Sequence, residues 1–334
     1  MRKKIIKVLV YDSKKYTEES LERLDHKGIE FTYIDSKLNI NTVDLAKGYD
    51  TICTFVNDDL SKEVINKLIK QGKKAIFTRS AGYNNIDLKT ANKKLKIYRV
   101  PAYSPYAVAE FAFSMLLTIN RRVHKAYNRT REFNFSLDGF TGMDLYGKTI
   151  GIIGTGKIGR VMIDIAKGFK MNILAYDPYP NKVIEGYKYV SLEELFKCSD
   201  IISLHCPLSK DTKYILNKKA FKNMKKGVII INTSRGELIN SNDLLDAIKN
   251  RIVSAACLDV YEEEEDIFYE DRSNHILNDE VLRDLISMPN VIVTSHQAFL
   301  TKEALNNIAS TTISNINKFY KGEANSNNEV CYRC

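Results

Sequence analysis

Long apolar runs are missing from this 334-residue chain, and none reaches the roughly 18 residues a membrane-spanning helix needs. The opening MRKKIIKVLVYD is basic and then apolar, but no small-residue cleavage site follows it. It reads as a first strand, not a signal peptide. A disulfide framework is absent too. Cys53, Cys198, Cys206, Cys257, Cys331 and Cys334 show no such spacing, which fits a reducing cytoplasm. Cys331 and Cys334 form a terminal CxxC without the two further ligands a zinc site wants, so no metal is expected and a frayed tail is the reading. Basic clusters are lacking as well. The net charge is +9, yet the Lys and Arg residues are scattered among acids, so no nucleic-acid partner is expected. Histidine is scarce, with five in all, which keeps the list of acid–base candidates short. The length allows two domains with a core each, and 44% hydrophobic residues is the content of a globular protein.

What is present is organised around residues 149–178, TIGIIGTGKIGRVMIDIAKGFKMNILAYDP. The apolar run 150–153 reads as a strand buried on both faces. Gly154, Gly156 and Gly159 follow, and then Ile158, Val161, Met162 and Ile165 recur at helical spacing. A second apolar run, 171–176, ends in Asp177. Strand, glycine turn, helix, strand and closing acid each have a task. The first glycine permits the tight turn, the second lets backbone approach a pyrophosphate, and the third lets helix and strand pack closely. The helix N-terminus supplies free N–H groups and a partial positive charge. Asp177 would accept hydrogen bonds from the adenosine ribose and repel a 2′-phosphate, which favours NAD over NADP. A glycine triplet alone is weak evidence, but one set between two strands and completed by the acid points to a bound dinucleotide.

The rest of the chain alternates in the same way. Strands are expected at 5–11, 31–34, 51–55, 75–77 and 97–100, with helices at 17–27, 60–70 and 88–94, which implies a parallel sheet covered by helices. The loop 78–87, TRSAGYNNID, follows a strand C-terminus, where open α/β sheets bind ligands, although an ordinary turn would look the same. PAYSP at 101–105 reads as a hinge into a helix at 106–120 that is too apolar to be exposed. Residues 121–147 are polar and carry Arg121, Arg122, Arg129 and Arg131; they either reach a partner subunit or make a surface excursion. Beyond Pro178, strands at 200–205, 228–232, 254–260 and 291–294 each end in a polar cluster. These clusters are His205-Cys206-Pro207, residues 233–238, Asp259 with the acidic run 261–266, and residues 295–299. A helix at 302–320 closes the chain. Four strands in succession delivering polar groups to the dinucleotide edge argue for an enzyme.

His26, His124 and His275 sit in solvent-facing or charged contexts and are set aside. His205 and His296 both end apolar strands, a position more often structural than catalytic. For His296 the balance reverses, because an arginine and a run of acids end neighbouring strands. A ketone reduced by hydride needs a proton at its oxygen, and imidazolium is the usual donor near neutral pH. Arg235 suits a substrate carboxylate through paired hydrogen bonds, against the alternative of a structural salt bridge. One acid of the run 262–266 turned toward His296 would keep the ring oriented; spacing alone does not say which.

These residues together resemble the NAD-dependent D-2-hydroxyacid dehydrogenases, and within that family its lactate branch. The resemblance rests on RSAGYNNID at 79–87, VPAYSPYAVAEFAF at 100–113, GKTIGIIGTGKIG at 147–159, YDPYP at 176–180, SLHCPL at 203–208, NTSRGELI at 232–239, LDVYEEEEDIFYED at 258–271 and SHQAFLT at 295–301. It implies Arg235 as carboxylate anchor, Glu264 as partner of the histidine and His296 as acid–base. It further implies Ala81, Gly82, Tyr103 and Phe299 around the substrate. Gly154, Gly156, Lys157, Ile158, Gly159, Asp177, Cys206, Pro207, Thr212, Thr233, Ser234, Arg235 and Asp259 would line the NAD site. The implied fold is α/β, two Rossmann-like, doubly wound parallel-sheet domains with a cleft between them. Residues 1–101 with 299–334 would form the catalytic domain and 102–298 the inserted NAD domain. The implied reaction is NADH-dependent reduction of pyruvate to D-lactate in the cytoplasm by a homodimer or homotetramer. Ala81 and Thr212 depart from the commoner Val and Asn. The rivals are a sister enzyme for a bulkier 2-oxo acid and a dinucleotide-sensing module, which would not require Arg235, Glu264 and His296 together.

Overall fold

The computed structural model describes residues 5–180, 186–265, 267–323 and 327–332. Asp266 and Cys334, both named above, lie outside them. Strands and helices alternate as β1 (Ile6–Val10), α1 (Lys15–Glu22), β2 (Ile29–Tyr33), β3 (Thr51–Thr54), α2 (Lys62–Lys70), β4 (Ala75–Thr78), α3 (Leu88–Ala91) and β5 (Lys96–Tyr98). There follow α4 (Pro105–Arg121), α5 (Val123–Arg131), β6 (Thr149–Ile153), α6 (Lys157–Gly168), β7 (Asn172–Tyr176), β8 (Lys188–Tyr189), α7 (Leu192–Cys198) and β9 (Ile201–Leu204). The series ends with α8 (Lys218–Lys222), β10 (Val228–Asn232), α9 (Ser241–Lys249), β11 (Val253–Leu258), α10 (Glu280–Ser287), β12 (Val291–Val293), α11 (Lys302–Tyr320) and β13 (Glu329–Val330). They form two units, Met1–Ser104 with Leu300–Cys334, and Pro105–Phe299.

In the second unit seven parallel strands run in the order β12-β11-β10-β9-β6-β7-β8. The chain leaves β6 in one direction through β7 and returns to its other side with β9. The switch point of this doubly wound sheet is therefore between β6 and β9, where a crevice for ligands opens at the strand C-termini. The period-2 geometry of a strand explains the apolar runs. Val228 and Ile230 face one core cluster, and Ile229 and Ile231 face another across the sheet. Helix α7 starts at Ser191, whose hydroxyl accepts the Glu194 N–H, the capping arrangement its S-x-x-E pattern predicts.

The first unit repeats the plan, with order β13-β5-β4-β3-β1-β2 and a switch at β1. Leu9, Ile52, Ile76 and Ile97 face one cluster; Val8, Val10, Phe77 and Tyr98 face another, which Ala309, Ile313 and Ile316 of α11 cover. That covering brings the C-terminal helix back to the first hundred residues.

Two features were not read from the sequence. The polar stretch 121–147 contains α5, a helix with no buried residue, so no apolar stripe marked it in the sequence. Residues 327–332 of the tail are held in place. β13 pairs antiparallel with β5, Val330 packs on the core beside Ile97, and Lys96 and Tyr98 both reach the Glu329 carboxylate. Cys331 itself is disulfide-bonded, whereas Cys53, Cys198, Cys206 and Cys257 are free thiols.

Candidate active site

The glycine turn after β6 is shaped by what touches each glycine. Gly154 has φ +96°, and a β-carbon there would collide with the backbone of His205 and Cys206 across the switch point. A β-carbon on Gly159 would collide with the Gly154 carbonyl, so α6 approaches the turn only because that side chain is missing. Gly156 is different: nothing stands within 4 Å of its β-position. It fronts open space at the N-terminus of α6, where Lys157 is exposed and Ile158 half-buried. Asp177 closes β7 beside this turn. One carboxylate oxygen accepts the Thr155 N–H and hydroxyl at 2.8 and 3.0 Å, and the other accepts the Tyr179 N–H at 2.9 Å.

The β9 end forms the other side. Ser234 donates to the Cys206 carbonyl at 2.7 Å, and Thr212 donates to that of Pro207 at 2.7 Å. Burial pushes the Cys206 thiol up to about 11, which keeps it protonated and inert. The buried Thr233 hydroxyl has no hydrogen-bond partner among the described residues. An uncovered glycine at a helix N-terminus, an acid at the next strand end and an orphaned hydroxyl fit the pyrophosphate, ribose and amide groups of a dinucleotide. His205 belongs to the scaffold of this region. Its Nε2 lies 2.8 Å from the Ser203 hydroxyl, and burial lowers its pKa to about 4, so the ring is neutral at working pH.

Three loops after β10, β11 and β12 hold the remaining candidates. Asn232, fully buried at the end of β10, accepts the Asp259 N–H on its carbonyl and the Ser234 N–H on its side chain, and donates to the Arg235 carbonyl. Gly236 lies so close to the Tyr261–Glu262 backbone that any β-carbon would collide, which presses the Arg235 loop onto the acidic one. Arg235 is half-buried, and one Nη donates to the Ser234 carbonyl at 2.6 Å. Among the described residues the guanidinium makes no salt bridge, so its remaining donors are available.

Of the acidic run, Glu264 is the member whose Oε1 lies 2.7 Å from Nδ1 of His296, and its other oxygen accepts the Tyr261 N–H at 2.9 Å. Glu262 is turned elsewhere, toward Ser241, and burial raises its pKa. The two side chains of the His296–Glu264 pair are 18% and 17% exposed, shielded but reachable. His296 has φ +53°, unusual for a non-glycine residue, and its Nε2 has no partner among the described residues. Asp259 is fully buried, which pushes its carboxyl pKa up. Its oxygens accept the Thr294 hydroxyl and the N–H groups of Gln297 and Ala298, which wraps the His296 loop around the end of β11. Phe299 is buried at the end of that loop.

Ala81, Gly82 and Tyr103 belong to the first unit. Arg99 donates to the Ala81 carbonyl at 2.8 Å, and the Ser80 hydroxyl donates to that of Gly82 at 2.7 Å. The N–H groups of Ala81 and Gly82 have no acceptor among the described residues, so this loop is a small concentration of free donors after β4. Tyr103 is half-buried beyond β5. Sequence reading missed Thr155, Arg99, Asn232 and Thr294. Thr155 and Asn232 lie inside quoted motifs and Arg99 and Thr294 just outside them, and a search for side chains able to satisfy the turns' own backbone would have found Thr155 and Asn232.

Residues 113–298 match the family described as D-isomer specific 2-hydroxyacid dehydrogenase, NAD binding domain. The chain is similar to D-lactate dehydrogenase of Escherichia coli, with 49% identity over 322 residues, covering 95% of this chain and 98% of the relative. The apo structure of the Escherichia coli enzyme superposes with a TM-score of 0.89 at 47% identity, over 97% of this chain and 100% of that one. The pyruvate reductase of Chlamydomonas reinhardtii superposes with a TM-score of 0.91 at 40% identity, over 96% and 98%.

Proposed function

Given that the chain belongs to the D-isomer specific 2-hydroxyacid dehydrogenases and carries their NAD-binding domain, we propose that it reduces pyruvate to D-lactate with NADH, reversibly. The observation that carries the reading is the His296–Glu264 pair at 2.7 Å with Nε2 of the ring unclaimed, on the sheet edge that also presents Arg235. Bound NADH supplies the hydride. Arg235 holds the pyruvate carboxylate with paired charge-assisted hydrogen bonds and draws electron density from the carbonyl. As the carbonyl oxygen gains charge, Nε2 of His296 donates its proton. Glu264, bonded to Nδ1, fixes the tautomer and stabilises the imidazolium. In the oxidative direction the neutral ring takes the proton back. Asp177 receives the adenosine ribose, and the turn at Gly154, Gly156 and Gly159 receives the pyrophosphate against the α6 N-terminus. Lys157, Ile158, Cys206, Pro207, Thr212, Thr233, Ser234 and Asp259 border the same site. The D configuration follows the similarity to the Escherichia coli enzyme.

The first unit serves as the substrate domain and the second as the NAD domain. The active form is a homodimer or homotetramer, and the surface for it is the stretch around α5, where Phe133 and Leu137 are 85% and 82% exposed. The cytoplasm is the expected location. Initial rates of NADH oxidation with pyruvate, 2-oxoisocaproate, phenylpyruvate and hydroxypyruvate test the substrate, and chiral analysis tests the product. A kcat/KM highest for pyruvate is the expected result. Preference for a bulkier acid moves the enzyme to the sister group, and NADH binding without turnover would leave a sensing module.

A further inference from the structure

His296 sits in the left-handed region, where a side chain crowds its own backbone, so something must hold it there. Its N–H is held by the Asp259 carbonyl at 2.7 Å. Its carbonyl is held by a residue to which the resemblance assigned no role: the Tyr269 hydroxyl donates to it at 3.0 Å. Tyr269 is itself left-handed, at φ +68°, and its ring centroid lies 6.0 Å from the imidazole with the planes inclined by 30°. It also shares a short turn with Glu264. The N–H groups of Ile267 and Phe268 both bond to the Glu264 carbonyl, at 3.0 and 2.9 Å, and Phe268 is buried in the core of the unit. Glu264 and Tyr269 therefore belong to the same hydrogen-bonded excursion of chain.

We propose that Tyr269 is a positioning residue for proton transfer, closing a loop in which one excursion of chain grips His296 at two points, the ring through Glu264 and the backbone through the Tyr269 hydroxyl. With the Glu264 contact alone, the imidazole pivots about a single hydrogen bond and Nε2 sweeps an arc. The second contact removes that freedom and sets where Nε2 points. The Tyr269 ring, alongside the imidazole, limits tilting in the same sense. This inference rests on the assignment of His296 and Glu264 made above.

Tyr269→Phe keeps the ring and the backbone and removes only the hydroxyl. Its kcat for pyruvate reduction should fall about tenfold, a loss of the size small misalignments produce, while KM for pyruvate and Kd for NADH stay within about twofold. Because the hydroxyl acts through the orientation of the ring toward Glu264, Tyr269→Phe added to Glu264→Gln should cost much less than it does alone. The melting temperature of Tyr269→Phe should stay close to that of the unaltered protein. Full turnover in Tyr269→Phe while Glu264→Gln is impaired would overturn the positioning role and leave the His296–Glu264 assignment standing. Losses that multiply independently would overturn it as well. Full turnover in Glu264→Gln would instead remove the assignment beneath it.

Discussion

Strands β9 and β12 run parallel in one sheet, and each is followed within a few residues by a histidine, His205 and His296. Both rings are half-buried, but their partners differ. His205 is bonded to a neutral hydroxyl two residues away, and its backbone closes over Gly154; burial without a countercharge lowers its pKa to about 4. His296 is bonded to a carboxylate 32 residues away, and held in a left-handed turn by Asp259 and Tyr269. The same residue type at the same kind of strand end is a spacer in one place and a candidate acid in the other. The difference lies in the partner, which long-range packing supplies.

The comparison breaks first at the rings themselves. His296→Gln should lower kcat by about a thousandfold or more, the usual worth of a positioned general acid, whereas His205→Gln, which can still bond Ser203, should stay within about fivefold in the same steady-state assay. A comparable loss in both would end the distinction. Next comes Arg235→Gln, for which kcat/KM should drop about three-hundredfold, with a raised KM for pyruvate as well as slower turnover, because two charge-assisted bonds are lost. Unchanged KM would mean that the carboxylate is held elsewhere. Glu264→Gln should cost about a hundredfold in kcat with little change in KM, since it removes the countercharge and the ionic bond that orients the ring. The smallest effect concerns pH and stability. A base whose folded pKa is lowered from 6.5 to about 4 favours the folded state above pH 6.5, and that stabilisation is lost as pH falls toward 4. His205→Gln should therefore flatten the decline of the melting temperature between those values, as thermal unfolding across the range would show.

The legible part of the molecule was the part governed by short-range rules. Continuous apolar runs marked β6 and β10, and the glycines at 154, 156 and 159 announced a turn whose contacts give each a separate reason. The alternation along the whole chain predicted parallel sheets. The residues that position the site were hidden because their partners are far away in sequence. Arg99 reaches a carbonyl 18 positions earlier and Tyr269 one 27 positions later, and β13 finds β5 from the opposite end of the chain. Nothing in spacing distinguishes Glu264 from Glu262 or Glu263. Resemblance to known dehydrogenases pointed to Glu264, and the turn that buries Phe268 is what aims its carboxylate at the imidazole. Helix α5 lacked a signal for a simpler reason: with no face buried in its own unit, it has no stripe to read.

The most direct test of the central claim separates binding from chemistry. NADH prebound to the His296→Gln protein is mixed rapidly with saturating pyruvate, and its oxidation is followed through a single turnover beside the His205→Gln and unaltered proteins. The account predicts normal NADH affinity in all three, with a hydride step slowed about a thousandfold in His296→Gln alone. A hydride step in His296→Gln as fast as that of the unaltered protein would contradict it.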